Sequence, residues 1–185
     1  PNYVQMTLLV NAVPVHYPLR LEHDLVPDAA DIESLVTERT KVLIVNSPGN
    51  PSGAVIPPHR LQALYDLARR HDLWVISDEV YDEIYVGEAP TSMRPIDADD
   101  RVVSAFTFSK TYAMTGWRIG YIVGPESIIS HVLRAQEPTV SCINSISQRA
   151  ALAALTGPQD CVAEMRGAYA ARSSLVSRIL DEHGL

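Results

Sequence analysis

The side chains that could do chemistry concentrate in one segment, SAFTFSKTYAMTGWRIGY at residues 104–121. Its single lysine, Lys110, stands among threonine and serine hydroxyls, and its single arginine, Arg118, follows eight residues later. A neutral lysine amine can attack a carbonyl carbon and form a Schiff base. A surface lysine in a loop would have the same local sequence, so this segment alone leaves both interpretations open.

The same segment contains the groups of an anion-binding site. Thr107 and Ser109 supply hydroxyls, and Arg118 supplies a planar guanidinium that can bind two oxygens of a phosphate at once. The alternative is that Arg118 pairs with a carboxylate on the surface of the protein. A phosphate site beside Lys110 is therefore one of two hypotheses.

A second polar segment, SDEVYDE at residues 77–83, follows an apolar run. One of the two adjacent acids, Asp78 and Glu79, is expected to point inward, and a buried carboxylate needs a cationic partner. Asp78 could hold the protonated nitrogen of an aromatic cofactor, or it could cap a helix or form a salt bridge. Tyr81 could hydrogen-bond the same ligand or simply pack against its neighbours.

The segment NSPGNPSG at residues 46–53 combines two prolines and two glycines with small polar residues, which predicts a turn-rich loop. Asn50 precedes Pro51, so a cis peptide bond is allowed there. Asn50 could present its amide to a ligand oxygen, or it could face solvent in an ordinary turn.

Hydrophobic patterns predict the helices and strands that must position these residues. Continuous apolar runs predict strands at residues 41–47, 73–79, 101–109 and 117–124. Apolar residues at helical spacing predict helices at residues 3–12, 28–40, 57–72, 125–136, 144–156 and 159–183. A short edge strand is predicted at residues 12–19, with Pro14 at the edge, and Asp31 is predicted to cap the helix at 28–40.

Strands that alternate with helices predict a layered α/β domain with a largely parallel sheet. The link between residues 109 and 117 is too short for a crossover helix, so the strand from 117 is predicted to run antiparallel to its neighbour. Open α/β sheets bind ligands at the carboxyl ends of their strands. Three predicted strands end in the polar segments described above, which predicts a site at that edge.

Composition limits the classes of protein that remain. The chain has 185 residues, of which 46% are hydrophobic, as expected for a globular domain with a core. The net charge of −7 argues against nucleic-acid binding. No apolar run is long enough for a membrane span, and no signal peptide opens the chain, so a cytoplasmic location is expected. Neither the histidines nor Cys142 and Cys161 have the spacing of metal ligands, so no metal is expected. Both cysteines are expected to be free thiols.

Together, NSPGNPSG, SDEVYDEIY and TFSKTYAMTGWRIGY, in this order, resemble the class I/II aminotransferases, which are pyridoxal-phosphate (PLP) enzymes of fold type I related to aspartate aminotransferase. The resemblance extends over nearly all 185 residues. It implies a three-layer α/β/α large domain, with a mostly parallel sheet and one antiparallel strand, over residues 1–157. It also implies a long linker helix at 158–185, pyridoxal 5'-phosphate as cofactor, amino-acid and 2-oxo-acid substrates, and a homodimer in the full-length protein.

The resemblance also implies a role for each candidate residue near the reacting atoms. Lys110 matches the lysine that forms a Schiff base with the cofactor and moves the substrate α-proton. Asp78 matches the aspartate that bonds the protonated pyridine nitrogen. Tyr81 and Asn50 match the pair that hydrogen-bonds the phenolic oxygen, and the asparagine of the family also touches the substrate carboxylate.

For the cofactor phosphate, the resemblance implies binding by Thr107, Ser109 and Arg118, with Thr107 where serine is common. Other parts of the family's site are expected outside the chain. They are a phosphate loop and a ring-stacking aromatic residue before Pro1, a carboxylate-binding arginine after Leu185, and a tyrosine of the partner subunit. We therefore expect the chain to be a fragment, and the 185-residue piece alone to be inactive.

The leading hypothesis for the parent protein is transfer of an amino group between an L-amino acid and a 2-oxo acid. One alternative is a PLP-dependent β-lyase or eliminase of the same fold. Another is the PLP-sensing domain of a transcription regulator, which would require a basic winged-helix domain outside this chain.

Overall fold

A single mixed sheet organises the chain, for which the computed structural model describes residues 2–184. Its strands, in spatial order, are β1 (Val42–Asn46), β2 (Trp74–Asp78), β3 (Val102–Thr107) and β4 (Gly120–Val123). β1 pairs with β2 and β2 with β3 in parallel, whereas β3 and β4 are antiparallel. The predicted fold class, a mostly parallel sheet with one antiparallel strand, is confirmed.

Helices flank the sheet and connect its strands. They are α1 (Asn2–Leu9), α2 (Ala29–Glu33), α3 (Pro58–Arg70), α4 (Phe108–Thr111), α5 (Glu126–Val140), α6 (Ser145–Thr156) and α7 (Asp160–Glu182). Within residues 2–184, none of them is long and apolar enough to cross a bilayer. α3 links β1 to β2, and it starts with Pro58, whose missing N–H costs nothing in the first turn of a helix.

Several sequence-based boundaries were wrong. The predicted edge strand at residues 12–19 is irregular backbone, because a short apolar run forms a strand only where a neighbouring strand offers hydrogen bonds. Asp28, not Asp31, caps α2: Asp28 Oδ1 accepts from the Ala30 N–H at 2.8 Å. Asp31 Oδ2 instead accepts from Arg20 Nε at 2.9 Å.

The hydrophobic core lies where α3 covers the sheet. The apolar face of α3 contributes Leu61, Leu64 and Leu67, each with at most 2% of its surface exposed, to the same cluster as Val45 of β1 and Val75 of β2. Burial of one such side chain stabilises the fold by roughly 1.5–3 kcal/mol. This cluster therefore fixes β1 and β2 beside each other, and with them the polar residues that follow.

A polar cluster fixes the start of β3 against α3. The hydroxyl of the buried Tyr65 donates to Asp99 and accepts from the Ala98 N–H at 2.8 Å. Arg101 donates from Nε to Asp99 Oδ1 at 2.9 Å and from Nη2 to Asp99 Oδ2 at 2.8 Å. Its Nη1 donates to the Leu73 carbonyl at 3.0 Å, which joins the entry of β3 to the entry of β2.

This cluster makes stability depend on pH in the acid range. The hydrogen bonds from Arg101, supported by Tyr65, lower the pKa of Asp99 to about 2. Because the folded pKa is depressed, Asp99 stabilises the fold above its ordinary pKa, and this contribution is lost as the pH falls from about 4 towards 2. Asp99→Asn should lower the free energy of unfolding at neutral pH by about 1 kcal/mol, a small value because the side chain is partly exposed.

Urea unfolding at neutral pH and near pH 3 checks this prediction. The difference between Asp99→Asn and the unmodified protein should shrink at the lower pH. Asp181→Asn, at an exposed acid in α7, is the control and should change little at either pH. Equal losses for the two variants would contradict the assignment to Asp99.

Candidate active site

The ends of the parallel strands bring the predicted site segments to one edge of the sheet. In the β1–β2 register, Asn46 lies opposite Asp78, and in the β2–β3 register, Asp78 lies opposite Ala105. Thr107 ends β3 and lies opposite Gly120 of β4. The segments after β1, β2 and β3 therefore leave the sheet side by side.

The loop after β1 is fixed by its own asparagines. Asn46 Nδ2 donates to the Asp78 carbonyl at 3.1 Å, and Asn46 Oδ1 accepts from the Asn50 N–H at 2.9 Å. The Asn50–Pro51 bond is cis, as the sequence allowed, and Ser47–Pro48 is cis as well. Asn50 Nδ2 then donates to the hydroxyl of Tyr81 at 3.0 Å. Two residues proposed from separate segments are thus in direct contact.

The adjacent acids after β2 have different environments. Glu79, with 4% of its surface exposed, is the acid that points inward. Its Oε1 accepts from Ser104 Oγ at 2.8 Å and from the Met93 N–H at 3.4 Å. Asp78 is half-buried at the rim and accepts a hydrogen bond from the hydroxyl of Tyr3. Asp78, rather than Glu79, therefore has its carboxylate where a ligand can reach it.

The contact between Tyr3 and Asp78 was not part of the sequence reasoning. The helix α1 brings Tyr3 to the end of β2, where its hydroxyl donates to the Asp78 carboxylate. The ring-stacking aromatic residue expected before Pro1 stays a prediction. Burial, together with the hydrogen bond to Asp78, raises the pKa of the Tyr3 hydroxyl.

A one-turn helix, α4, carries Lys110. Thr107 caps it, with Oγ1 accepting from the Ser109 N–H at 3.1 Å, and the buried Phe108 anchors it. The side chain of Lys110 is exposed in this chain. Its Nζ lies 5.7 Å from the centre of the Tyr81 ring, which places the amine beside the Asn50–Tyr81 pair.

Arg118 lies two residues before β4 in a left-handed conformation, with φ of 51°. Its Nη1 donates to the Thr115 carbonyl at 2.9 Å, and within residues 2–184 it forms no ion pair with a carboxylate. The buried Ser147 donates from Oγ to the Trp117 carbonyl at 2.9 Å, which joins the N-terminal turn of α6 to the residue before Arg118. The guanidinium is exposed and available to an anion.

The part of the chain that the structure describes contains no set of metal ligands, because no three histidine, cysteine or acidic side chains come together there. Cys142 and Cys161 are free and exposed. The arrangement is instead that of an α/β domain whose amine, carboxylate, amide and guanidinium groups lie along the carboxyl edge of the sheet, where this class of domain binds ligands.

Comparison with known proteins gives the family. The chain matches the family described as aminotransferase class I and II over residues 1–185. It is 36% identical over 188 residues to the aromatic-amino-acid aminotransferase 2 of Thermococcus litoralis, covering 100% of this chain and 48% of that protein. It is 38% identical over 188 residues to the aspartate aminotransferase of Pyrococcus abyssi, with the same coverage, 100% and 48%. The chain therefore spans about half the length of the curated relatives it matches.

Solved structures agree in fold. A double mutant of Thermus thermophilus aspartate aminotransferase superposes with a TM-score of 0.95 at 35% identity, covering 100% of this chain and 49% of that one. The aromatic aminotransferase of Pyrococcus horikoshii gives a TM-score of 0.94 at 37% identity, with 99% and 50% covered. The chain belongs to the class I and II aminotransferases, which depend on pyridoxal 5'-phosphate.

The donor set of this structure fits that cofactor. A phosphate dianion needs cationic and hydroxyl donors, which Arg118, Thr107 and Ser109 supply. A protonated ring nitrogen needs a carboxylate partner, and of the two adjacent acids after β2, Asp78 is the accessible one. An aldehyde forms a Schiff base with a primary amine, and the Lys110 amine lies beside the ring of Tyr81.

Arg118 should account for much of the phosphate affinity. Charge-assisted hydrogen bonds contribute about 1.5–3 kcal/mol, so Arg118→Ala in the full-length protein should weaken binding of pyridoxal 5'-phosphate roughly tenfold to a hundredfold. Titration of the apoprotein with the cofactor measures this. Arg178→Ala, at an exposed arginine in α7, is the matched control and should bind normally. Unchanged affinity in Arg118→Ala would exclude Arg118 from the phosphate site.

Proposed function

We propose that the protein containing this chain transfers an amino group between an L-amino acid and a 2-oxo acid, using pyridoxal 5'-phosphate bound at the carboxyl edge of the sheet. The observation that carries this proposal is the meeting of the Lys110 amine with the hydrogen-bonded Asn50–Tyr81 pair, in a chain of the aminotransferase family. These three residues come from three different strand ends.

Pyridoxal 5'-phosphate, when bound, supplies an electron sink that stabilises negative charge on the α-carbon of an amino acid. Lys110 supplies the primary amine of the site. As a general base, this amine takes the proton from the α-carbon of the substrate and later gives it back to complete the transfer. Asp78 accepts a hydrogen bond from the ring nitrogen and keeps a proton there, because a carboxylate stabilises an adjacent cation. This role is compatible with its half-buried place at the rim.

Asn50 and Tyr81 hold the phenolic oxygen of the cofactor by donating hydrogen bonds from an amide and a hydroxyl. In this proposal Asn50 also binds the substrate carboxylate. Their mutual hydrogen bond at 3.0 Å holds the two donor groups next to each other before any ligand binds. Donors that are oriented in advance lose less entropy on binding, which favours a fixed orientation of the ring.

Thr107, Ser109 and Arg118 orient the cofactor through its phosphate. Two of these groups belong to the segment that carries Lys110: Thr107 caps α4, and Ser109 lies within it. Phosphate binding and placement of the amine are therefore coupled through one turn of helix. That coupling explains why the three residues and Lys110 lie within one short stretch of sequence.

The names of the relatives support amino acids and 2-oxo acids as substrates, since they include aromatic-amino-acid and aspartate aminotransferases. Assembly as a homodimer and a cytoplasmic location stay predictions.

We further propose that residues 1–157 belong to the cofactor-binding domain and residues 158–185 to a linker helix. Contacts at the start of α7 attach this linker helix to the domain: Gln159 Oε1 accepts from the Tyr112 hydroxyl at 3.0 Å, and Val162 is buried. Residues 171–184 are exposed, including Leu175, Val176 and Ile179. The first turns of α7 thus pack on the domain, whereas the exposed later turns, which do not contribute to its core, support the assignment of α7 to a linker helix.

Replacement of Lys110 tests the proposed function. The chain has two lysines, and Lys41 lies at the opposite end of the sheet, just before β1. In the full-length protein, Lys110→Ala should abolish reductive trapping of pyridoxal 5'-phosphate by borohydride and lower amino transfer by several orders of magnitude. Lys41→Ala is the control and should retain both properties.

The assay must separate transfer from elimination. Amino transfer requires the added 2-oxo acid, whereas a lyase releases ammonia and pyruvate without it. Ammonia release that is independent of the oxo acid would contradict the proposed reaction, and trapping on Lys110→Ala equal to the unmodified protein would contradict the assignment of the lysine.

Residues 1–185 alone should show little or no turnover. Both Lys110 and Arg118 are exposed in this chain, and catalysis of this type needs a site that excludes water. Purified 1–185 with cofactor and a range of amino acids should therefore react no faster than free pyridoxal 5'-phosphate. Robust turnover would show that these residues suffice.

A further inference from the structure

One side-chain hydrogen bond joins the turn that carries Lys110 to the turn that carries Tyr81. Thr111 Oγ1 donates to Asp82 Oδ1 at 2.9 Å. Thr111 directly follows Lys110, and Asp82 directly follows Tyr81. The bond thus connects the immediate neighbours of the two residues whose separation sets the geometry of the site.

The sheet itself does not fix this separation. The β2–β3 register ends with Asp78 opposite Ala105, and the Glu79 N–H still donates to the Ala105 carbonyl at 2.9 Å. Beyond that point the two segments diverge, one into the turn at residues 79–82 and the other into α4. Among the hydrogen bonds of residues 2–184, the Thr111–Asp82 bond is the one that joins these two turns beyond the sheet.

The environment of the bond makes it costly to lose. Thr111 is buried, with 7% of its surface exposed, and Asp82 is half-buried. Burial, together with the negative charge of Glu83, raises the pKa of Asp82, while the hydroxyl of Thr111 acts in the opposite direction. Without this hydroxyl, the half-buried carboxylate loses a hydrogen-bond donor, and the turn at 79–82 loses its side-chain link to α4.

We propose that Thr111 and Asp82 are positioning residues that fix the Lys110 amine relative to Tyr81. Neither residue touches the reacting atoms in this assignment. They act by fixing the distance between the turn that carries Tyr81 and the turn that carries Lys110. In an active site, a displacement of about 1 Å can lower the rate roughly a hundredfold. This inference rests on the proposed function, in which the Lys110 amine reacts beside the Asn50–Tyr81 pair.

A double-mutant cycle in the full-length protein tests the proposal. Thr111→Val keeps the shape but removes the donor, and Asp82→Ala removes the acceptor from the other side. Each should slow the capture of pyridoxal 5'-phosphate by Lys110, followed by absorbance after mixing, by roughly tenfold or more. The double variant should be no slower than either single variant, because the same bond is already lost.

Conservative and distant variants provide the controls. Thr111→Ser keeps the hydroxyl and should capture the cofactor at nearly the original rate. Thr156→Val removes a hydroxyl that donates to the Leu152 carbonyl in α6, far along the chain from Lys110, and should have no effect. kcat should fall in Thr111→Val while KM stays unchanged, and the melting temperature reports separately on loss of folded protein.

The outcomes distinguish this inference from the proposed function. Normal capture in Thr111→Val, additive effects in the double variant, or equal slowing in Thr111→Ser would overturn the positioning role while leaving the aminotransferase proposal intact. If Thr111→Val does not fold, the Asp82→Ala and Thr111→Ser arms decide in the same way. Failure of the unmodified protein to capture the cofactor would overturn both.

Discussion

The parallel register of β1, β2 and β3 is the constraint on which the rest of the structure depends. It places Asn46 opposite Asp78 and Asp78 opposite Ala105, so the three segments that follow leave the sheet at the same edge. The core beneath α3 holds this register, because a slip by one residue would turn Val45 and Val75 out of the hydrophobic cluster. Stability and the convergence of the polar groups thus have the same physical origin.

Past the edge of the sheet, side chains replace backbone hydrogen bonds as the means of fixing geometry. Asn46 holds the loop that presents Asn50, and Thr107 caps the helix that presents Lys110. The polar residues fall into two groups. Glu79, Ser104 and Ser147 are buried and shape the surroundings, whereas Lys110 and Arg118 are exposed and available to a ligand.

Much of the fold could be predicted because continuous apolar runs encode buried strands directly. The antiparallel β4 also followed from the sequence, since the link after Thr107 is too short for a crossover. The strand at residues 12–19 failed for a related reason: strand formation depends on a neighbouring partner, which a local pattern does not contain. The cap of α2 by Asp28 was missed because three acids lie near that helix start, and only geometry selects one.

The candidate residues could be named from sequence, but their contacts could not. Nothing in the local pattern distinguishes Asp78 from Glu79, and the choice follows from the buried Ser104 hydroxyl, which reaches Glu79 from the next strand. The bond from Tyr3 to Asp78 joins residues 75 positions apart, so it depends on the completed fold. Local sequence therefore determines which groups a strand end offers, whereas the packing of distant segments determines which of them face a ligand.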